Sequence, residues 1–219
     1  MQPTDYAMLC MDAHGVLIDR DSAIMQGLAP LLAQLVSSPS RDEVLTRYID
    51  TLHALTDEQM GTVSAHCVVY RALAEQWGLA ADWQAGIEFA STLGVGSIYE
   101  DAPGAIQYLR KFYRLRIVTS LDEREFAPLD QRIGLAAGER LTTGSFVAAR
   151  AALKSMAGDP DVLLLTAGPV PANCRAGHCR ITRQASGNVL THKALPAGKF
   201  VSLTGFIHAH QLALRREFL

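Results

Sequence analysis

AMLCMDAHGVLID, residues 7–19, sets the architecture of this chain. Its first half, 7–12, is a short apolar run that stops at a carboxylate, Asp12. An apolar run without alternation fits a strand covered on both faces, as in parallel sheets. Asp12 then stands at the strand's C-terminal end, and His14 and Gly15 open a turn.

Downstream of this strand the pattern changes. The stretches 28–36, 41–55 and 65–77 carry apolar residues at helical spacing, and Asp82 is placed to cap a further helix over 83–93. Strand signals are scarce from 21 to 98, so this stretch reads as a helical insertion. From residue 99 strands and helices alternate. The spacing predicts helices over 102–112, 123–134, 145–156 and 200–218, with strands over 114–120, 161–167 and 179–184. Pro103 suits a first helical turn and Gly134 a helix end. Such alternation implies a parallel sheet with helices on both faces, and ligands of these sheets bind beyond the strand C-termini. That rule gathers Asp12, Thr119, Ser120 and Thr166 on one rim.

The chain has 219 residues, 49% of them hydrophobic and 19% charged, which is a globular composition with room for one α/β core and an insertion. The net charge is −2 and the 20 Lys and Arg residues are dispersed, so no nucleic-acid partner is expected. No secretory signal and no membrane-length apolar run are visible, so the expected location is cytoplasmic. The four cysteines, Cys10, Cys67, Cys174 and Cys179, are then expected as free thiols. Apolar helices in the insertion would suit a homodimer.

Two segments resemble the haloacid dehalogenase-like superfamily. MDAHGVLID, 11–19, is similar to its first motif, in which an apolar strand ends in a nucleophilic Asp. The segment 99–134 is similar to the later stretch in which a helix feeds a strand ending in a Ser or Thr. With helices between the two, the layout looks most like the 2-haloacid dehalogenase branch. The resemblance implies an α/β fold: a Rossmann-like core over 1–20 and 99–219, with an inserted helical cap over 20–98. It also implies a mechanism. The Asp12 carboxylate forms a covalent ester that water hydrolyses, and the Thr119 hydroxyl holds a substrate or carboxylate oxygen.

The departures from the pattern narrow the chemistry. Phosphatases of the superfamily have a second Asp two residues after the nucleophile, and dehalogenases an aromatic residue; this chain has His14. An unperturbed histidine titrates near neutral pH, which would suit a general acid or base. The lysine expected before the helix at 146 is missing from GERLTTGSF, 138–146; Arg140 is the nearest cation, and Lys154 lies eight residues inside that helix. The acidic pair expected after strand 161–167 is also missing, because the chain reads TAGPVPANC. Mg²⁺ needs such oxygen ligands, so neither metal nor cofactor is expected, although Asp122 and Glu123 near the same rim offer a partial substitute.

The resulting expectation is a metal-independent hydrolase acting on a small acidic molecule. Asp12, His14 and Thr119 would be catalytic, and Ser120 and Thr166 would bind substrate. The alternative is a non-hydrolytic member that binds a ligand or partner or performs atypical chemistry. Other constellations have plainer readings. Cys174, His178 and Cys179 lack a second ligand pair for zinc, even if His192, His208 and His210 are considered. His208 and His210 are two apart in a helix and face different directions. Gly94 and Gly96 suit a hinge between cap and core better than a nucleotide loop. Arg41 and Arg47 read as solvated helix-face arginines rather than substrate clamps.

Overall fold

The structure is a computed structural model that describes residues 2–55, 60–94, 96–168, 173–183 and 198–217. Among these residues six strands form one sheet: β1 Met8–Asp12, β2 Arg114–Thr119, β3 Arg140–Thr142, β4 Val162–Thr166, β5 Gly177–Ile181 and β6 Lys199–Phe200. Every pairing is parallel and the order is β3-β2-β1-β4-β5-β6. Four helices, α1 Arg20–Leu32, α2 Arg41–Leu55, α3 Thr62–Gln76 and α4 Trp83–Gly94, lie between β1 and the rest of the core. The core helices are α5 Ala102–Leu109, α6 Glu123–Ile133, α7 Phe146–Ala157 and α8 Leu203–Glu217. This is the expected α/β sheet with a helical insertion.

Side-chain alternation on the strands divides the core. Leu9, Met11, Ile117, Leu163 and Leu165 pack with α5, α6 and α8 on one face. Cys10, Val118, Val162 and Leu164 pack with Ala149 and Ala157 of α7 on the other. Each buried Leu or Ile contributes about 1.5–3 kcal/mol relative to exposure. The insertion has an apolar core of its own, built from Ile24, Leu28, Val44, Tyr48, Val69, Leu73 and Phe89.

Local signals account for the element ends. Asp82 accepts from the Ala85 N–H at 2.8 Å, as a cap should. Asp122 accepts from the Arg124 and Glu125 N–H groups at the start of α6, and Gly134 ends that helix in the left-handed region. Some expectations shift. The first cap helix starts at Arg20 and stops at Leu32, leaving Val36 fully exposed. The last helix starts at Leu203, and residues Lys199–Phe200 instead form β6. The strand expected over 179–184 runs over 177–181; Gln184, His192 and Phe218 lie outside the described residues. No helix among the described residues is long and apolar enough to cross a membrane.

The two connections between insertion and core run side by side. Ile18 pairs antiparallel with Ile98, Asp19 N–H donates to Ser97 O, and Tyr99 N–H donates to Leu17 O. Arg183, just past β5, fastens both. It donates to Val16 O, makes two bonds to Asp101 at 2.8 and 3.0 Å, and stacks over the Tyr99 ring at 3.9 Å.

Candidate active site

β1 is central in the sheet and the strand order reverses beside it, so the Asp12 end of β1 opens onto the crevice where such sheets bind ligands. Asp12 pairs in register with Val118, and Ala13 N–H donates to Val118 O. The chain then turns sharply. Asp12 Oδ1 accepts from the His14 backbone N–H at 3.0 Å. Gly15 has φ +80°, and a Cβ there would stand 2.5 Å from the Ala167 Cβ, so this turn needs glycine both for its backbone and for its packing.

The His14 ring meets the end of β2. Its Nε2 lies 3.3 Å from Thr119 Oγ1 and 3.2 Å from Ser120 Oγ. Thr119 and Ser120 are buried, whereas Asp12 and His14 are half-buried. Thr119 Oγ1 also accepts from the Leu121 N–H, which fixes the hydroxyl at the turn. Thus Asp12, His14, Thr119 and Ser120 form one connected group. Thr166 stands on the same rim, but its hydroxyl donates to Gly168 O and lies 2.9 Å from His178 Nε2.

The insertion closes over this group. Thr62, on α3, donates from its hydroxyl to Ser120 O at 2.7 Å. One turn later on α3, the His66 ring packs edge-on against Phe146 at the start of α7, with ring centres 5.1 Å apart. His66 Nδ1 lies 2.6 Å from the Tyr48 hydroxyl of α2.

Burial sets the protonation states here. It pushes Asp12 up to about 6, against the opposing pull of the Arg20 charge and the His14 N–H. Burial drives His14 down to about 3, with Arg20 adding to the effect. His66 falls to about 3 for the same first reason, with further contributions from His14 and Arg20. The expectation that His14 titrates near neutrality is therefore corrected, because desolvation of the imidazolium keeps the ring neutral at pH 7. Arg20 is among the residues that sequence reasoning missed. It opens α1, its charge reaches Asp12, His14, Tyr48 and His66, and it also bonds Asp21 at 3.1 Å. No motif marks it; its place directly after the connection to the insertion is the only sequence signal.

The other cations considered from sequence are engaged or lie elsewhere. Arg140 is paired with Asp130, and Lys154 is exposed on α7. Arg47 lines an open groove of about 830 Å³ between α2 and α3, which includes none of Asp12, His14, Thr119 or Ser120. Arg41 opens α2.

A magnesium site of the superfamily's type does not fit these residues. Asp122 Oδ1 caps α6, Glu123 is exposed, and residues 166–174 contain no acid. Among the described residues no group of three or more His, Cys, Asp or Glu could hold a metal ion. Cys179 points into the α5/α6/α8 face, His178 reaches Thr166, and Cys174 donates to Ala176 O, so the three diverge. His208 is exposed, while His210 is buried among Tyr108, Phe112 and Tyr113.

No protein-family model and no curated protein sequence matches this chain. Solved structures do match, over nearly its whole length. The L-2-haloacid dehalogenase from Xanthobacter autotrophicus superposes with a TM-score of 0.64 at 15% identity, covering 94% of this chain and 98% of that one. A defluorinating L-2-haloacid dehalogenase gives 0.65 at 16%, covering 97% and 98%. The fold is that of the L-2-haloacid dehalogenases. The haloacid dehalogenase fold is shared more widely: YfnB, a Bacillus subtilis protein described as a HAD-hydrolase and solved with magnesium, gives 0.65 at 15%, covering 94% and 99%. At such identities the shared fold carries no residue roles.

Proposed function

We propose that this chain is a metal-independent hydrolase of the haloacid dehalogenase type, with Asp12 attacking a small acidic substrate beneath the 20–98 cap. The observation that carries this reading is the Asp12 carboxylate at the end of the central strand. Pushed up to about 6, it stays ionised at neutral pH and lies within reach of the Arg20 charge. The arrangement suits an attacking carboxylate and an anionic substrate. One Asp12 oxygen bonds to the substrate carbon as the leaving group departs with its electron pair. Water then adds to the ester carbonyl, releasing the alcohol and one proton and restoring Asp12. His14, neutral and tied to Thr119 and Ser120, supplies hydrogen bonds at the reacting end, and Ser120 binds substrate. Thr166 enters as a rim residue whose hydroxyl must leave His178 to reach a ligand. A covalent chloropropionic acid adduct is described for the Xanthobacter autotrophicus enzyme, whose structure in that state gives a TM-score of 0.63 at 14% identity. Among the described residues Arg20 is the cation whose charge acts on Asp12, and one positive charge favours a monoanion over a phosphate dianion.

A non-hydrolytic binding protein is the second reading. It is favoured by the fate of the superfamily's lysine: Lys154 is exposed on α7 and Arg140 is paired with Asp130.

The test is halide and phosphate release from a panel of haloacids and phosphate esters, with and without Mg²⁺, for wild type and Asp12→Asn. We expect halide release that ignores Mg²⁺ and falls roughly a thousandfold or more in Asp12→Asn. Magnesium-dependent phosphate release would overturn the metal-independent reading. Inactivity on every compound would favour the binding protein.

A further inference from the structure

We propose that His66, held in place by Tyr48, is part of the same site: a cap-borne hydrogen-bond donor that meets the anionic end of the bound ligand. The inference rests on the reading of Asp12 as the substrate-facing carboxylate.

Three observations carry it. First, α3 presents His66 to the core. Thr62 and His66 are four residues apart on one helix face, and the Thr62 hydroxyl reaches Ser120 O, whose residue also contacts His14 through Oγ. Second, the His66 ring spans cap and core, packing on Phe89 of α4 and on Phe146 of α7. Third, its orientation is fixed from behind. Tyr48 is fully buried, and a buried hydroxyl proton needs an acceptor. His66 Nδ1, at 2.6 Å, takes that role, which leaves the neutral ring with its proton on Nε2. A neutral ring with a fixed N–H donates to an anion without adding charge, and Arg20 already supplies the charge in this part of the molecule.

A packing role alone makes a different prediction. The aromatic contacts of His66 would survive in His66→Phe, and so would any function that depended on packing. The test uses the full-length protein labelled with ¹⁵N-histidine, titrated with propionate and with inorganic phosphate, in wild type and in Asp12→Asn. We expect His66 in its Nε2–H form, an Nε2 resonance that shifts with propionate in both proteins, and propionate affinity roughly tenfold weaker in His66→Phe. Tyr48→Phe should give a smaller loss and a mixture of tautomers. A His66 resonance unmoved by either anion would overturn the proposal, as would His66→Phe that binds and turns over like wild type. The two readings fail separately. If no variant hydrolyses any substrate but His66 still responds to propionate, the donor role stands and the hydrolase reading falls. If Asp12→Asn abolishes turnover while His66→Phe leaves it intact, the reverse holds.

Discussion

Asp12 and His14 are two residues apart and share a hydrogen bond, yet burial moves their titrations in opposite directions, because it disfavours the charged form of each. If Asp12 attacks as proposed, it must be ionised to do so, and kcat/KM should fall as pH drops through about 6. The Arg20 charge lowers the Asp12 pKa, so Arg20→Met should move that acid limb to higher pH in the same rate profile. For stability the signs differ. His14 and His66 have folded values near 3 against 6.5 unfolded, so their contribution is complete above 6.5 and is lost as pH falls toward 3. Asp12, raised from 3.8 to about 6, works the other way and relieves a penalty as pH falls through 6. At pH 5 the histidines should cost about 2 kcal/mol each, against about 1 kcal/mol regained at Asp12. Urea unfolding should therefore give lower stability at pH 5 than at pH 7, and a flatter dependence in His66→Phe. Among these residues Asp12, His14, Thr119 and Ser120 were legible in the sequence, because a strand end and a turn announce themselves. Arg20, Tyr48 and His66 were not. On an amphipathic helix a core tyrosine and a site histidine occupy the same apolar spacing.

The elements that carry these side chains depend on a few local contacts. The turn after β1 tolerates no Cβ at residue 15, so Gly15→Ala should lose about 2–4 kcal/mol in chemical denaturation, from a left-handed φ and the collision with Ala167. Arg183 ties both connections of the insertion to the core. Removing Arg183 from this half-buried pair leaves Asp101 with the Thr204 N–H but no counter-charge, and Arg183→Met should cost about 3 kcal/mol. Amide exchange should quicken over 13–20 and 96–101 while β1 and β4 keep their protection. Most of the longer elements followed from periodicity and capping residues, Asp82, Asp122 and Gly134 among them, but α1 starts well before the apolar run at 28–36 that marked it. The strands β3 and β6 did not. They are three and two residues long, and their residues are half-buried or exposed, so neither an apolar run nor an alternation marks them.

In the whole molecule a six-stranded core and a four-helix insertion meet over Asp12, with the Thr62 hydroxyl on Ser120 O as one polar contact across the join. Thr62→Val keeps the shape and removes that bond. It should shift the balance toward opening by about 1 kcal/mol, read as faster exchange of the amides at 119–122. The side-by-side pairing of Ile18 with Ile98 has a separate meaning. The insertion leaves and re-enters the core at one spot, like an appliance on a single socket. The sheet is then complete without it: a short turn joining Asp19 to Ser97 would span a gap already bridged by a 2.8 Å hydrogen bond. A chain shortened in this way should keep the paired strands of the sheet and shed the four helices of the insertion as one piece.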